Sequence, residues 1–141
     1  MTNATPWDER APQRALLVDD DAALRGLLKV LLEQMGFQPT NARNGVEALG
    51  ILRNKGAGGF DILITDIRMP EMGGIELARK ARNEFPELPI LFISGYAPSM
   101  KEVENELDER SDFLKKPFEF TAFADKLEKL LKRTAPARAG R

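Results

Sequence analysis

Three aspartates stand in a row at Asp19-Asp20-Asp21, directly after the apolar run Ala15-Leu16-Leu17-Val18, and Asp66 directly follows Ile62-Leu63-Ile64-Thr65. Ser94 ends a third such run, Ile90-Leu91-Phe92-Ile93, and Lys115-Lys116 stand between Phe113-Leu114 and Pro117. The chain contains no His and no Cys. That excludes a thiolate nucleophile, a Ser-His triad, a structural zinc site and a histidine base. Any chemistry must rest on carboxylates, hydroxyls and Lys or Arg. If Asp19, Asp20 and Asp66 meet, three carboxylates within about 5 Å of one another repel by roughly 3 kcal/mol per pair at an effective dielectric near 20. A hard divalent cation with oxygen ligands offsets this, and Mg²⁺ commonly takes one or two carboxylates together with waters and phosphate oxygens. With an ammonium and a hydroxyl added, the set is that of a phosphoryl-transfer site. The cations draw charge off the equatorial oxygens while an aspartate oxygen attacks in line.

For these residues to meet, the elements that carry them must be strands of one sheet. The three apolar runs are too short for helices, do not alternate, and end on polar residues or Gly, as expected of strands buried on both faces. Weaker strand signals cover Phe37 to Ala42 and Phe113-Leu114. Between them lie helical patterns. The strongest is Leu24, Leu27, Leu28, Leu31, Leu32 and Met35, at helical spacing and ending at Gly36. Another is Phe120, Phe123, Leu127, Leu130 and Leu131, with Lys and Arg in its last turn. Weaker helices fit Gly45 to Lys55, Gly74 to Glu84 and Pro98 to Glu109, the last with Pro in its first turn. Strand and helix thus alternate five times, which predicts an α/β fold with a parallel sheet, right-handed crossovers and helices on both faces. The natural arrangement is a flavodoxin-like three-layer sandwich of five βα units with strand order 2-1-3-4-5. Its ligand site lies outside the carboxyl ends of strands 1 and 3. That edge collects Asp19, Asp20 and Asp66, then Ser94 from strand 4 and the lysine pair from strand 5.

At these residues the sequence resembles the receiver domain of bacterial two-component response regulators. The matching stretches are "LLVDDD", "DILITDIRMPEMGGIEL", "ILFISGYA" and "DFLKKPF", in order, across nearly all of residues 14–132. The resemblance implies that Asp66 is the phosphoacceptor and that Asp19 and Asp20 are the acidic pair holding Mg²⁺, or Mn²⁺ in its place, with Asp66 and the backbone carbonyl of Arg68 as further ligands. It makes Ser94 the switch hydroxyl, Lys116 the phosphate-pairing lysine and Phe113 the aromatic that changes rotamer, with a cis peptide between Lys116 and Pro117. Ser94-Gly95-Tyr96 stands where Thr-Ala is commoner, and "DERSDFL" replaces the usual Gly-Ala step before strand 5. "FISGYA" looks more like receivers attached to hybrid histidine kinases, or a subset of stand-alone ones.

Each residue also has a plainer reading. Asp21 precedes Ala22-Ala23-Leu24 and suits a helix N-cap better than a ligand. Asp19 and Asp20 could be turn residues, although two acids at the end of a buried strand are costly without a partner. Ser94-Gly95 is a turn signal in its own right, and Phe113 could be packing alone. Charge does not separate Lys115 from Lys116; adjacency to Pro117 and the resemblance select Lys116. Gly56-Ala57-Gly58-Gly59 follows a helix and precedes a strand, the reverse of a phosphate-binding loop, and reads as a flexible connection. The fourth helix has only Met100, Val103 and Leu107 to anchor it among its acids, which marks it as a low-stability element, and its acidity reads either as a surface for a basic partner or as a plain solvated face.

The composition frames this reading. The chain has 141 residues, with 21 Lys+Arg against 22 Asp+Glu for a net charge of −1, and 43% hydrophobic residues. One domain with an ordinary core is expected, without the basic field that direct nucleic-acid binding needs. No apolar run approaches the roughly 18 residues of a membrane span, and the polar start carries no targeting signal, so a cytoplasmic protein without membrane contact is expected. Residues 1–13 read as a flexible arm, 14–132 as the domain and 133–141 as a flexible basic tail with no output domain. The expected function is phosphoacceptance rather than enzymatic turnover. With no His in the chain, the donor is a histidine kinase or histidine phosphotransfer protein acting in trans, and a downstream partner would meet the surface of helix 4, strand 5 and helix 5. The chain could be a stand-alone regulator or a piece of a larger regulator or hybrid kinase. Two alternatives stand beside this: a receiver serving as a phosphorylation-independent adaptor, and an aspartyl-nucleophile phosphatase in which Asp19 of an Asp-x-Asp pair with Asp21 is the nucleophile.

Overall fold

The computed structural model describes residues 13–95 and 99–134. Five strands and five helices alternate: β1 (Gln13–Val18), α1 (Ala22–Gln34), β2 (Phe37–Ala42), α2 (Gly45–Lys55), β3 (Ile62–Asp66), α3 (Gly74–Glu84), β4 (Ile90–Ser94), α4 (Ser99–Glu106), β5 (Ser111–Lys115) and α5 (Phe120–Thr134). All neighbouring strands are parallel, in the order β2-β1-β3-β4-β5. The three central strands are the apolar runs of the sequence, and every residue of β3 and β4 is buried. They are buried because both faces are covered. Leu16, Val18, Leu63 and Phe92 pack with α2, α3 and Val103 of α4, while Leu17, Ile62, Ile64 and Leu91 pack with α1 and α5. Each two-residue step along a strand returns to the same face, so one apolar run supplies both cores.

Local chemistry sets the ends of the helices. Asp21 caps α1, its carboxylate accepting from the backbone N–H groups of Ala23 and Leu24, and Asn44 caps α2 through Glu47 N–H. Gly36 follows α1 at a φ of 95°, a left-handed conformation that glycine takes without steric cost. Among the described residues no helix is long and apolar enough to cross a membrane.

Several sequence expectations need correction. Gln13, assigned to the flexible arm, is the first residue of β1, paired with Phe37 and buried. Arg133 and Thr134, assigned to the tail, belong to α5. Arg133 donates to the carbonyls of Glu109 and Ser111, which anchors the helix end on the chain before and at β5. The rest of the arm, the rest of the tail and the first-turn Pro98 lie outside the described residues. The fourth helix stops at Glu106 rather than Glu109, because the Asp108 N–H donates to the Ser111 hydroxyl at 2.8 Å instead of continuing the helical ladder. Leu107 therefore lies past the helix and is exposed, so it does not anchor it. Leu27 and Phe120, counted in the buried stripes of α1 and α5, are each nearly half exposed. Gly56-Ala57-Gly58-Gly59 connects α2 to β3 through a turn in which Gly59 N–H donates to the Gly56 carbonyl.

Candidate functional site

The carboxyl ends of β1 and β3 bring together the acids that the sequence separates. One carboxylate oxygen from each of Asp19, Asp20 and Asp66 lies within 4.8 Å of the other two. Asp19 is fully buried and Asp66 is buried at 7% exposure, whereas Asp20 faces solvent. Asp19 is held from four sides. Its N–H donates to the Ala42 carbonyl, its Oδ1 accepts from Asp21 N–H at 2.9 Å, its Oδ2 accepts from Lys116 Nζ at 3.1 Å, and its carbonyl accepts from Arg25 Nη1. Asp66 Oδ1 accepts from Ile67 N–H at 2.8 Å, and its Oδ2 lies 3.5 Å from Lys116 Nζ. One ammonium thus serves two buried acids.

The charge balance sets the direction in which Asp66 and Lys116 are shifted. Burial, and then the neighbouring Asp19 charge, push the Asp66 carboxyl above its ordinary range, and the opposing pull of Lys116 and the Ile67 N–H does not cancel them. For Lys116, burial works toward a lower pKa, but Asp19 and Asp66 together outweigh it and hold the ammonium above its ordinary value. Three carboxylates and one ammonium leave a negative excess. The donors are all oxygens, they converge from two strand ends, and one of them opens to solvent. That set fits a hard divalent cation such as Mg²⁺.

The neighbouring strands complete the edge. Asp66 lies level with Ile93, so Ser94 stands one residue beyond it; Ser94 pairs with Lys115 and is buried at 2% exposure. Its carbonyl accepts from the Lys116 N–H at 2.9 Å, which fixes the lysine beside strand β4. The Lys116–Pro117 peptide is cis. Lys115 is exposed and Lys116 half-buried toward the acids, so geometry separates two lysines that charge does not. Phe113 is partly buried on the core of the α2, α3 and α4 face. Arg68 follows two residues after Asp66, with its side chain exposed. Asp21 caps α1 through one carboxylate oxygen and is not among the three acids whose oxygens meet.

Two contributors escaped the sequence reading. Arg25 grips the Asp19 carbonyl from α1, and only its position one turn into that helix hinted at this. Gly74, the first residue of α3, lies so close to Asp66 that a Cβ built on it would be 2.1 Å from the Asp66 carbonyl oxygen. The Gly73-Gly74 pair at a helix start, where no turn demands it, was the available signal. The Thr65 hydroxyl also donates to the Asp66 carbonyl at 2.8 Å. A separate cavity of about 310 Å³, lined by Leu52, Phe60, Phe85, Leu88, Pro89 and Arg110, opens at the opposite edge, where β3, β4 and β5 begin, away from the acids.

The chain is similar to known proteins. The model of the response regulator receiver domain family matches residues 15–128. The response regulator receiver protein CpdR of Brucella abortus is 38% identical over 119 residues, which is 84% of this chain and 97% of that protein. The response regulator MprA of a Mycobacterium species is 34% identical over 125 residues, but the chain spans only 53% of its length. Among solved structures, the receiver domain of the hybrid histidine kinase CckA superposes with a TM-score of 0.71 at 33% identity, over 84% of this chain and 98% of that domain.

Proposed function

The chain belongs to the receiver domain family of two-component response regulators, whose members act as phosphoacceptors rather than enzymes, and from that premise we propose that Asp66 accepts a phosphoryl group from a phosphohistidine on another protein. The observation that carries this reading is the meeting of Asp19, Asp20 and Asp66 within 4.8 Å around a single lysine. In this reading an Asp66 carboxylate oxygen attacks phosphorus in line, and the new O–P bond forms as the bond to the donor histidine nitrogen breaks. Asp19, Asp20, Asp66 and the Arg68 backbone carbonyl hold Mg²⁺ or Mn²⁺, which supplies the positive charge that offsets the carboxylates and the incoming oxygens. Lys116, already pinned beside Asp66 by its backbone bond to Ser94, pairs with a phosphoryl oxygen. The buried Ser94 hydroxyl, one residue beyond the level of Asp66, turns toward the same group, and Phe113 follows by changing its packing on the core. The surface of α4, β5 and α5 then differs between the two states and meets a downstream protein. In this reading the donor is a histidine kinase or a histidine phosphotransfer protein acting in trans; none of these 141 residues is a His that could donate.

Intact mass after incubation with acetyl phosphate and Mg²⁺ tests this. One added phosphoryl group is expected on the wild-type chain, none with EDTA and none on Asp66→Asn. An undiminished adduct on Asp66→Asn, or none on wild type, overturns the assignment.

A further inference from the structure

Of the three acids that meet at the sheet edge, Asp20 has the least to hold its carboxylate in place. Asp19 and Asp66 are buried, and each accepts hydrogen bonds at defined points. Asp20 faces solvent, and its carboxylate accepts from none of the described residues. Its reach to within 4.8 Å of both partners is therefore set by the backbone on either side of it. A peptide unit is planar, so a hydrogen bond to its carbonyl or its N–H restrains the whole unit. The unit after Asp20 is restrained by the Asp21 N–H, which donates to Asp19 Oδ1 at 2.9 Å. The unit before it is restrained by Arg25, whose Nη1 donates to the Asp19 carbonyl at 2.5 Å. The first of these grips comes from a member of the acid cluster itself, and Arg25 supplies the second from outside it.

Arg25 is well rooted for that task. Its own N–H donates to the Asp21 carbonyl at 2.9 Å, and Leu28, three residues on, is fully buried against the sheet. The core face thus places α1, and the partly buried guanidinium reaches back from it to the end of β1. A guanidinium suits the position because it is planar, weakly hydrated and gives up less freedom per hydrogen bond than an ammonium. Its charge is shared with a second acid: Glu47, near the start of α2, is held below the ordinary carboxylate range first by the Arg43 N–H and in smaller part by Arg25. We propose that Arg25 is a positioning residue of the metal site, restraining the Asp19–Asp20 peptide so that the Asp20 carboxylate faces the place of the cation. This deepens, and rests on, the reading of Asp19, Asp20 and Asp66 as Mg²⁺ ligands. The guanidinium has two effects of opposite sign. As a positive charge it repels a cation; as a donor it orders a ligand before the cation arrives, so that less freedom is lost on binding. The hydrogen bond acts on the acid pair directly while Glu47 and water offset the charge, so the ordering prevails.

The test compares wild type with Arg25→Met, which keeps a long, helix-favouring side chain but loses donor and charge, and with Arg25→Lys, which keeps both in another shape. Titration of the metal-free chain with Mg²⁺, followed by amide NMR shifts, reads weak as well as tight binding, and urea unfolding in EDTA reads stability. Arg25→Met is expected to bind Mg²⁺ about ten-fold more weakly than wild type, the lower end of what losing a partner that orients a metal ligand costs. Arg25→Lys should recover most of that loss. In an Asp20→Asn background, where the oriented carboxylate is already gone, Arg25→Met should change the affinity by less than about two-fold. If Arg25→Met binds Mg²⁺ as tightly as wild type or more tightly, the assignment is overturned even where the variant unfolds at lower urea, because a purely structural arginine moves stability alone. A repeated ten-fold loss in the Asp20→Asn background overturns the route through Asp20. A wild-type chain that binds no Mg²⁺ overturns the metal reading beneath it.

Discussion

Replacing Asp66 by Asn should make the metal-free protein more stable, although Asp66 is one of the most buried polar residues of the fold. Within 4.8 Å, repulsion between the Asp19 and Asp66 carboxylates costs about 3.5 kcal/mol at an effective dielectric near 20, and attraction to Lys116 at 3.5 Å returns about 4.7 kcal/mol on the same scale. These nearly offset, and after the substitution Lys116 keeps its other partner, Asp19, at 3.1 Å. What remains is the cost of holding a carboxylate at 7% exposure, several kcal/mol for a fully buried ion. Asn keeps the shape and still accepts from the Ile67 N–H. A net gain of about 1–2 kcal/mol follows, or roughly 4–8 °C in Tm for a domain of this size. The sign of its pH dependence is also set. Burial and Asp19 hold the Asp66 pKa above 3.8 in the fold, so the folded wild type takes up a proton that the unfolded chain has released. Wild-type stability at this residue therefore rises as pH falls through the folded pKa toward 3.8, and the advantage of the variant shrinks over that window. Urea unfolding in EDTA followed by far-UV circular dichroism reads the midpoint and the m-value. Adding Mg²⁺ should then stabilise wild type more than Asp66→Asn, by mass action on the intact cluster. A variant that is no more stable than wild type at neutral pH in EDTA, with m unchanged, would mean that the site's charges are balanced without a cation. That would remove the electrostatic case for the metal.

Two further substitutions test the frame around the site. Gly74→Ala places a methyl group 2.1 Å from a backbone oxygen that cannot swing aside; a loss of about 2–3 kcal/mol in urea unfolding is expected, with affinity for beryllofluoride, a phosphoryl mimic for carboxylates, reduced because Asp66 itself is displaced. Unchanged stability would show that α3 does not rest on Asp66 as described. Asp21→Ala removes the cap of α1 and should cost about 1 kcal/mol, while Mg²⁺ affinity by calorimetry stays within about two-fold, as expected of a cap that is not a ligand. A loss of Mg²⁺ binding as large as that of Asp20→Asn would make Asp21 a ligand after all.

The alternation of short apolar runs with helical patterns was enough to predict the layers and, with 2-1-3-4-5 as the natural strand order for five such units, the edge on which Asp19, Asp20, Asp66 and Ser94 converge. In a parallel sheet every carboxyl end lies on one side, so the placement follows from counting strands. Element ends were legible wherever a local group decides them, as at the Asp21 cap or Gly36. They were not legible where a distant group does. The fourth helix ends at Glu106 because Ser111, in the next strand, takes the Asp108 N–H, and the fifth extends to Thr134 where Arg133 reaches back to Glu109 and Ser111.

Side-chain direction belonged to the tertiary structure. Lys115 and Lys116 are identical in chemistry, yet consecutive residues at a strand end point to different sides, and only Lys116 meets the acids. Leu27 and Phe120 fit their helical stripes, but a stripe is buried only as far as its neighbours reach. The grip of Arg25 on Asp19, the press of Gly74 on Asp66 and the pairing of Arg82 with Glu106 and Ser111 join residues that no period links, and they exist because α1 and α3 lie where the packed sheet puts them. The sequence by itself determined which chemistry could gather at the sheet edge, since alternating strands and helices make a parallel sheet whose carboxyl ends lie on one side. Which lysine serves the site, and how α4 is tied to the strands around it, depended on contacts between distant segments that only the packed fold creates.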